Sequence, residues 1–130
     1  GYGIAESLMK AGWYVAITGR NSHSVNEAVT RLKKIHEHVI GLEADVRNLA
    51  QQQETVNKVI TTWGQLDALI ANAGVGHFTS IETMTTEQWH ETIDINLTGV
   101  FYSIKAAIPE LKKSQGYILT IASLAGTNFF

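Results

Sequence analysis

The stretch Gly64-Gln65-Leu66-Asp67-Ala68-Leu69-Ile70-Ala71-Asn72-Ala73-Gly74 constrains the fold more than any other. Leu66 to Ala71 is short and almost wholly apolar, with Gly64 before it and Asn72-Ala73-Gly74 directly after. A strand that is apolar on both faces belongs inside a parallel sheet covered by helices. In open α/β sheets, ligands bind just outside the carboxyl ends of the strands. Small residues at such an end let a flat ligand lie against the backbone, and the Asn72 amide can both donate and accept hydrogen bonds. Taken alone, the stretch fits an ordinary strand-to-loop exit equally well.

The remaining segments repeat that unit. Ile4 to Ala11 has helical spacing and ends at Gly12, and Gly1-Tyr2-Gly3 runs straight into it. Glycines that open a helix let a phosphate approach free backbone N–H groups, although a plain N-terminal turn reads the same way. Trp13 to Thr18 is aromatic and β-branched, the composition of a strand, and Gly19-Arg20-Asn21 follows it. No Asp or Glu occurs between Val15 and Asn26. In a dinucleotide-binding unit an acid near this point holds the ribose 2′-OH, whereas an Arg accommodates a 2′-phosphate. Arg20 is either that group or a solvated loop cation.

Ser24-Val25-Asn26-Glu27 has the form of a capping box, ahead of a helical face made by Val25, Ala28, Val29, Leu32 and Ile35. Val39 to Leu42 predicts a short strand, with Asp45 and Val46 at its exit; Asp45 is equally placed to cap the next helix. Val56, Val59, Ile60 and Trp63 form the stripe of a helix running from about Asn48 to Trp63 and stopped by Gly64. A second capping box, Thr85 with Gln88, opens a long helix expected to reach about Lys113. Its inward residues are expected to be Trp89, Ile93, Leu97, Val100, Phe101, Ile104 and Ile108. Asn96 and Gly99 interrupt that helix and Pro109 removes a donor near its end. Tyr117 to Ile121 is the last strand, and Ser123 lies in its exit turn. Alternating helices and strands give a doubly wound parallel sheet with right-handed crossovers. Asp45, Asn72 and Ser123 then share one rim.

Composition excludes several alternatives. The chain has 130 residues, the size of one domain, a net charge of −2 and no cysteine. No basic excess points to nucleic acid or an anionic membrane, and no disulfide framework or thiolate metal site can form. No apolar run approaches a membrane span and no signal peptide is evident, so the cytoplasm is the expected compartment. The five histidines lack metal spacing beyond His36-x-His38, so no metal site is expected. His77 and Phe78 fall in the rim loop, where position alone allows contact with a substrate.

Five of these signals, in this order, resemble the short-chain dehydrogenase/reductase family. Gly1-Tyr2-Gly3-Ile4 is similar to the final half of its glycine-rich cofactor turn, and Asp45-Val46 to its adenine-contacting pair. Asn72-Ala73-Gly74 resembles the family's Asn-Ala-Gly motif beside the cofactor. Asn96 within Asp94-Ile95-Asn96-Leu97 resembles the helix Asn of its catalytic tetrad, and Ser123 its catalytic Ser. The resemblance covers the whole chain. It implies a Rossmann-like sheet and hydride transfer between a nicotinamide cofactor and a small-molecule carbonyl or alcohol. Ser123 would stabilise the substrate oxygen, and Asn96 would hold a water. Gly1, Tyr2, Gly3, Arg20, Asn21, Asp45, Val46, Asn72, Ala73 and Gly74 would surround the cofactor, with NADP(H) favoured over NAD(H) through Arg20. It also implies pairing through the long helix into a homodimer or homotetramer.

Two family features are not found. The first strand with the first glycine of the cofactor turn is absent, and the family's Tyr-x-x-x-Lys would fall just past Phe130. The chain opens on Gly1, and Asn128-Phe129-Phe130 carries two aromatics. The expectation is therefore a partial domain over residues 1–130, truncated at both ends. The missing strand belongs between Trp13–Thr18 and Leu66–Ala71. The competing class is a catalytically silent nucleotide-binding module, which the residue at the missing Tyr position would separate from an enzyme.

Overall fold

The computed structural model describes residues 1–127; the expectation for Asn128 to Phe130 lies outside the described residues. In chain order the elements are α1 (Tyr2–Lys10), β1 (Val15–Gly19), α2 (Ser22–Leu32), β2 (Val39–Glu43), α3 (Leu49–Trp63), β3 (Ala68–Ala71), α4 (Thr86–Ile93), α5 (Gly99–Ser114) and β4 (Tyr117–Thr120). A π-helical turn (Asp94–Thr98) joins α4 to α5, and a 3-10 turn (Leu124–Gly126) follows β4. The strands pair in parallel as β1 with β2 and β3 with β4, in two separate two-stranded sheets. Val15 stands opposite Val39 in one, and Ala68 opposite Tyr117 in the other.

Between β1 and β3 runs a cleft of about 880 Å³, lined by both strands and floored by α1, α3 and α5 residues such as Leu8, Val59 and Ser103. β1 and β3 do not pair with each other across it. The packed core lies beside β1 and β2, where Met9, Leu32, Val15, Val39 and Ala5 meet. Met9 and Leu32 are fully enclosed; each such side chain stabilises the fold by about 1.5–3 kcal/mol.

Helix ends follow local chemistry. Asn48 accepts from the Gln51 N–H and caps α3, while Gly64 closes it in the left-handed region at φ 81°. That conformation costs glycine nothing. Thr85 and Gln88 form the reciprocal capping box at α4. The expected box at Ser24 does not form: α2 begins earlier, capped by the Asn21 side chain, which accepts from the Ser24 N–H. Asn21 is extended and leaves β1 directly, which places its amide over the first turn before Ser24 can act. Asp45 does not cap α3 either, because Asn48 holds that position.

The long helix departs most from expectation. Its buried residues are Ile95, Gly99, Ser103, Ala106, Ala107 and Leu111, whereas Trp89, Leu97 and Phe101 are exposed. The π turn adds a residue to one helical turn, with the Gly99 N–H reaching the Asp94 carbonyl, and this rotates the inward face. Close packing selects the small residues: a Cβ on Gly99 would sit 2.6 Å from Val46 Cγ2. The bulky side chains are left on the outer face. No described helix is long and apolar enough to cross a membrane.

Candidate functional site

The carboxyl ends of β1, β2 and β3 open onto one concavity. Its volume is about 250 Å³, and it is lined by Gly19, Arg20, Val46, Asn72 to Val75 and Ile95, among others. Each strand delivers its residues through the ladder. The Ala44 N–H donates to the Gly19 carbonyl at 3.0 Å, and the Ile121 N–H to the Ala71 carbonyl at 3.0 Å. The first register brings Asp45-Val46 beside Arg20; the second brings the Ser123 turn to the level of Asn72.

Asn72 links the glycine turn to this rim. The Gly1 backbone nitrogen donates to Asn72 Oδ1 at 3.1 Å, and a Cβ on Gly1 would come within 3.0 Å of Asn72 Nδ2. Gly1, the N-cap of α1, gives no side-chain cap, and the leading N–H groups carry partial positive charge.

Asn96 explains its own position inside a helix. Its Oδ1 accepts from the Val75 N–H and its Nδ2 donates to the Val75 carbonyl, both at 2.8 Å. The amide thus reads both backbone groups of one residue and pins the loop that follows Asn72-Ala73-Gly74. The π turn bulges the helix where Asn96 makes this reach. One N–H and one lone pair of the amide remain for a further partner.

The Asp45 turn is clamped from two sides. The Asp45 N–H donates to Gln51 Oε1 at 2.7 Å, and the Asp45 carbonyl accepts from Gln52 Nε2 at 3.1 Å. Gln52 is buried and also accepts from the buried Ser103 hydroxyl at 3.3 Å, which carries the clamp to α5. Arg47 grips the Asp45 carboxylate with its Nε and Nη2 and with its backbone N–H. The Arg47 guanidinium holds the Asp45 carboxyl below its ordinary range, against the opposing effect of burial. Arg47, Gln51 and Gln52 carry no signal in the sequence pattern, whereas Gly99 stands out there as an interruption of the long helix.

Arg20 lines the concavity, half exposed, with Glu91 of α4 at 3.8 Å. Glu91 also pairs with His77 Nε2 at 3.0 Å, so His77 is tied to the helix, while Phe78 is fully exposed. Ser123 is extended, and its Oγ accepts from the Ala125 N–H at 3.2 Å, leaving its proton to donate. It makes no hydrogen bond to Asn72 or Asn96 among the described residues. Tyr2 packs under the Arg31 guanidinium, 4.3 Å from the ring centroid, and Gly3 is exposed beside it. No cluster of three metal-ligating side chains occurs among the described residues.

The family model for short chain dehydrogenases matches residues 1–130. The chain belongs to the short chain dehydrogenase family. It is 34% identical over 128 residues to an uncharacterised oxidoreductase of Staphylococcus saprophyticus, covering 97% of this chain and 55% of that protein. It is 30% identical over 125 residues to a probable 2,4-dienoyl-CoA reductase of Bacillus subtilis, covering 95% of this chain and 49% of that one. An alcohol dehydrogenase from the archaeon Thermococcus sibiricus, solved in complex with 5-hydroxy-NADP, superposes with a TM-score of 0.90. That match is 28% identical and covers 100% of this chain and 57% of the other. The chain spans about half the length of the curated relatives it matches. Its fold is the doubly wound parallel architecture of these oxidoreductases.

Proposed function

We propose that the protein transfers hydride between NADP(H) and a small-molecule carbonyl or alcohol. The observation that carries this reading is the convergence of Arg20, Val46 and Asn72 to Gly74 on one rim, with Gly1 at the uncapped start of α1 hydrogen-bonded to Asn72. These residues suit a dinucleotide: backbone approach at Gly1, an uncapped α1 start for pyrophosphate, and small residues where a flat ring must lie. Tyr2 and Gly3 continue the turn, and Asn21 follows Arg20 at the β1 exit. Asp45 and Val46 border the adenine, with the Asp45 backbone held by Gln51 and Gln52.

The cofactor supplies the hydride or accepts it. Ser123 donates a hydrogen bond to the substrate oxygen, which stabilises negative charge as it develops. Asn96 holds the loop after Gly74 and keeps one N–H and one lone pair for a water. The family resemblance implies a Tyr and a Lys to complete the proton path.

Arg20 is the sole basis for NADP(H) over NAD(H): a 2′-phosphate would accept charge-assisted hydrogen bonds from its guanidinium. Measuring KM for both cofactors in the full-length protein and in Arg20→Ala tests this. The variant is expected to lose most of the preference; an unchanged ratio would remove Arg20 from the site. Trp89, Leu97 and Phe101, exposed along one stretch of helix, support pairing of subunits there. Light scattering on the full-length protein is expected to give a dimer or tetramer, and a monomer at micromolar concentration would count against it.

A further inference from the structure

Glu91 has no role in the hydride chemistry, yet it lies among basic groups at the cofactor rim. One carboxylate oxygen accepts from His77 at 3.0 Å, and the other stands 3.8 Å from Arg20 Nη1. Arg47 is near enough to feel the same charge, but its guanidinium is already spent on Asp45. The two Glu91 contacts are unequal. His77 is three-quarters buried and makes a hydrogen bond, whereas Arg20 is half exposed and lies beyond hydrogen-bond distance. An exposed ion pair of this kind is weak and easily exchanged.

We propose that Glu91 is a specificity-determining residue: an internal anion, anchored by His77, that occupies Arg20 and sets how strongly this rim prefers a phosphate on the cofactor ribose. The inference rests on the reading of Arg20 given above. A phosphate carrying a charge of about −1.5 to −2 with three acceptor oxygens outcompetes a single loosely held carboxylate for a guanidinium. Because His77 keeps Glu91 in place, the displaced carboxylate stays beside the incoming phosphate and repels it. Glu91 therefore reduces the gain from Arg20 and moderates discrimination. It also couples the loop bearing His77 to Arg20, since one carboxylate serves both.

Isothermal titration of the full-length protein with 2′,5′-ADP and with 5′-AMP reads this without turnover. Glu91→Gln keeps the shape and a hydrogen bond to His77 and removes the charge. Its affinity for 2′,5′-ADP is expected to rise roughly three- to tenfold, with 5′-AMP unchanged. Glu91→Ala, which also removes the charge, is expected to tighten 2′,5′-ADP in the same direction. The Glu91 side chain is about one-third exposed, and unchanged thermal midpoints will confirm that both variants fold. If Arg20→Ala abolishes the preference for 2′,5′-ADP but neither Glu91 variant changes it, the role of Glu91 is overturned and the Arg20 reading stands. If Arg20→Ala leaves the preference intact, both fall. Equal tightening of 2′,5′-ADP and 5′-AMP would also overturn the proposal, because the effect would not involve the phosphate.

Discussion

The β1–β2 half and the β3–β4 half of this molecule are built from the same kind of unit but supported differently. Around β1 and β2 the chain closes on itself: Val15 and Val39 are buried, and Met9 and Leu32 seal the core between helices and strands. β4 is exposed along its whole length, with Tyr117 at 75% and Leu119 at 51%, and its helical cover comes from α5. Apolar strands left open in this way need a further covering surface. The rim residues divide along the same line. Arg20 and the Asp45 turn stand on the closed half, and the Asp45 turn is held by Arg47, Gln51 and Gln52. Ser123 follows the open strand and is fixed mainly by its own turn. In the proposed reading, Arg20 and Asp45 on the closed half and Asn72 to Gly74 after β3 meet the cofactor, and Ser123 after the open strand meets the substrate.

Substitutions on either side test that division. The largest effect is expected at Ser123. In full-length protein, Ser123→Ala is expected to lower kcat for carbonyl reduction by about 10²–10³, the scale of losing one charge-stabilising donor. KM for the cofactor should hardly move, because Ser123 is not among the residues lining the rim concavity; a parallel rise in cofactor KM would erase the distinction. Next comes the junction of the halves at Gly99. Gly99→Leu would drive side-chain atoms into Val46, whose Cγ2 already lies 2.6 Å from the position of a Cβ. Denaturant unfolding is expected to show a loss of about 1–3 kcal/mol, together with weaker NADPH binding. Gly76→Ala, where no atom lies within 4 Å of the added Cβ, is the neutral control.

The smallest effect concerns pH. Asp45 titrates below its ordinary value of 3.8 because Arg47 binds the ionised form. The unfolded state therefore binds more protons near that value, and stability rises with pH there. This contribution is full above about pH 4 and fades as the pH falls through the lowered folded value. Arg47→Met should flatten the acid limb of a stability-against-pH curve by less than about 1 kcal/mol, since the pair is partly exposed. Curves that coincide between pH 2 and pH 5 would show that the pair does nothing for folding.

Much of this architecture was legible because it depends on local chemistry. The apolar runs at Leu66–Ala71 and Val39–Leu42, which fold as the strands Ala68–Ala71 and Val39–Glu43, the Asn48 and Gly64 ends of α3 and the Thr85–Gln88 box each follow from a few adjacent residues. The inward face of α5 was not legible. Helical spacing counts at a constant period, and the π turn breaks that period at Asn96. The sequence pattern also favours large apolar residues as core, whereas close approach to Val46 admits Gly99 and the neighbouring Ser103 and Ala107. The clamp on Asp45 was hidden for a different reason. Gln51 and Gln52 are unremarkable polar residues until α3 places their amides against the backbone of the preceding turn. The tie between Asn96 and Val75 joins positions 21 residues apart, so only the odd placement of an Asn in a helix announced it.

The central claim is that one rim, built from separate strand ends, holds NADP(H). Hydrogen exchange of the full-length protein with and without NADPH tests it most directly. Protection is expected to increase together in segments 1–5, 19–21, 45–47 and 72–75, with little change along α2. NADPH binding that protects other segments, or that leaves these four unchanged, would contradict the account.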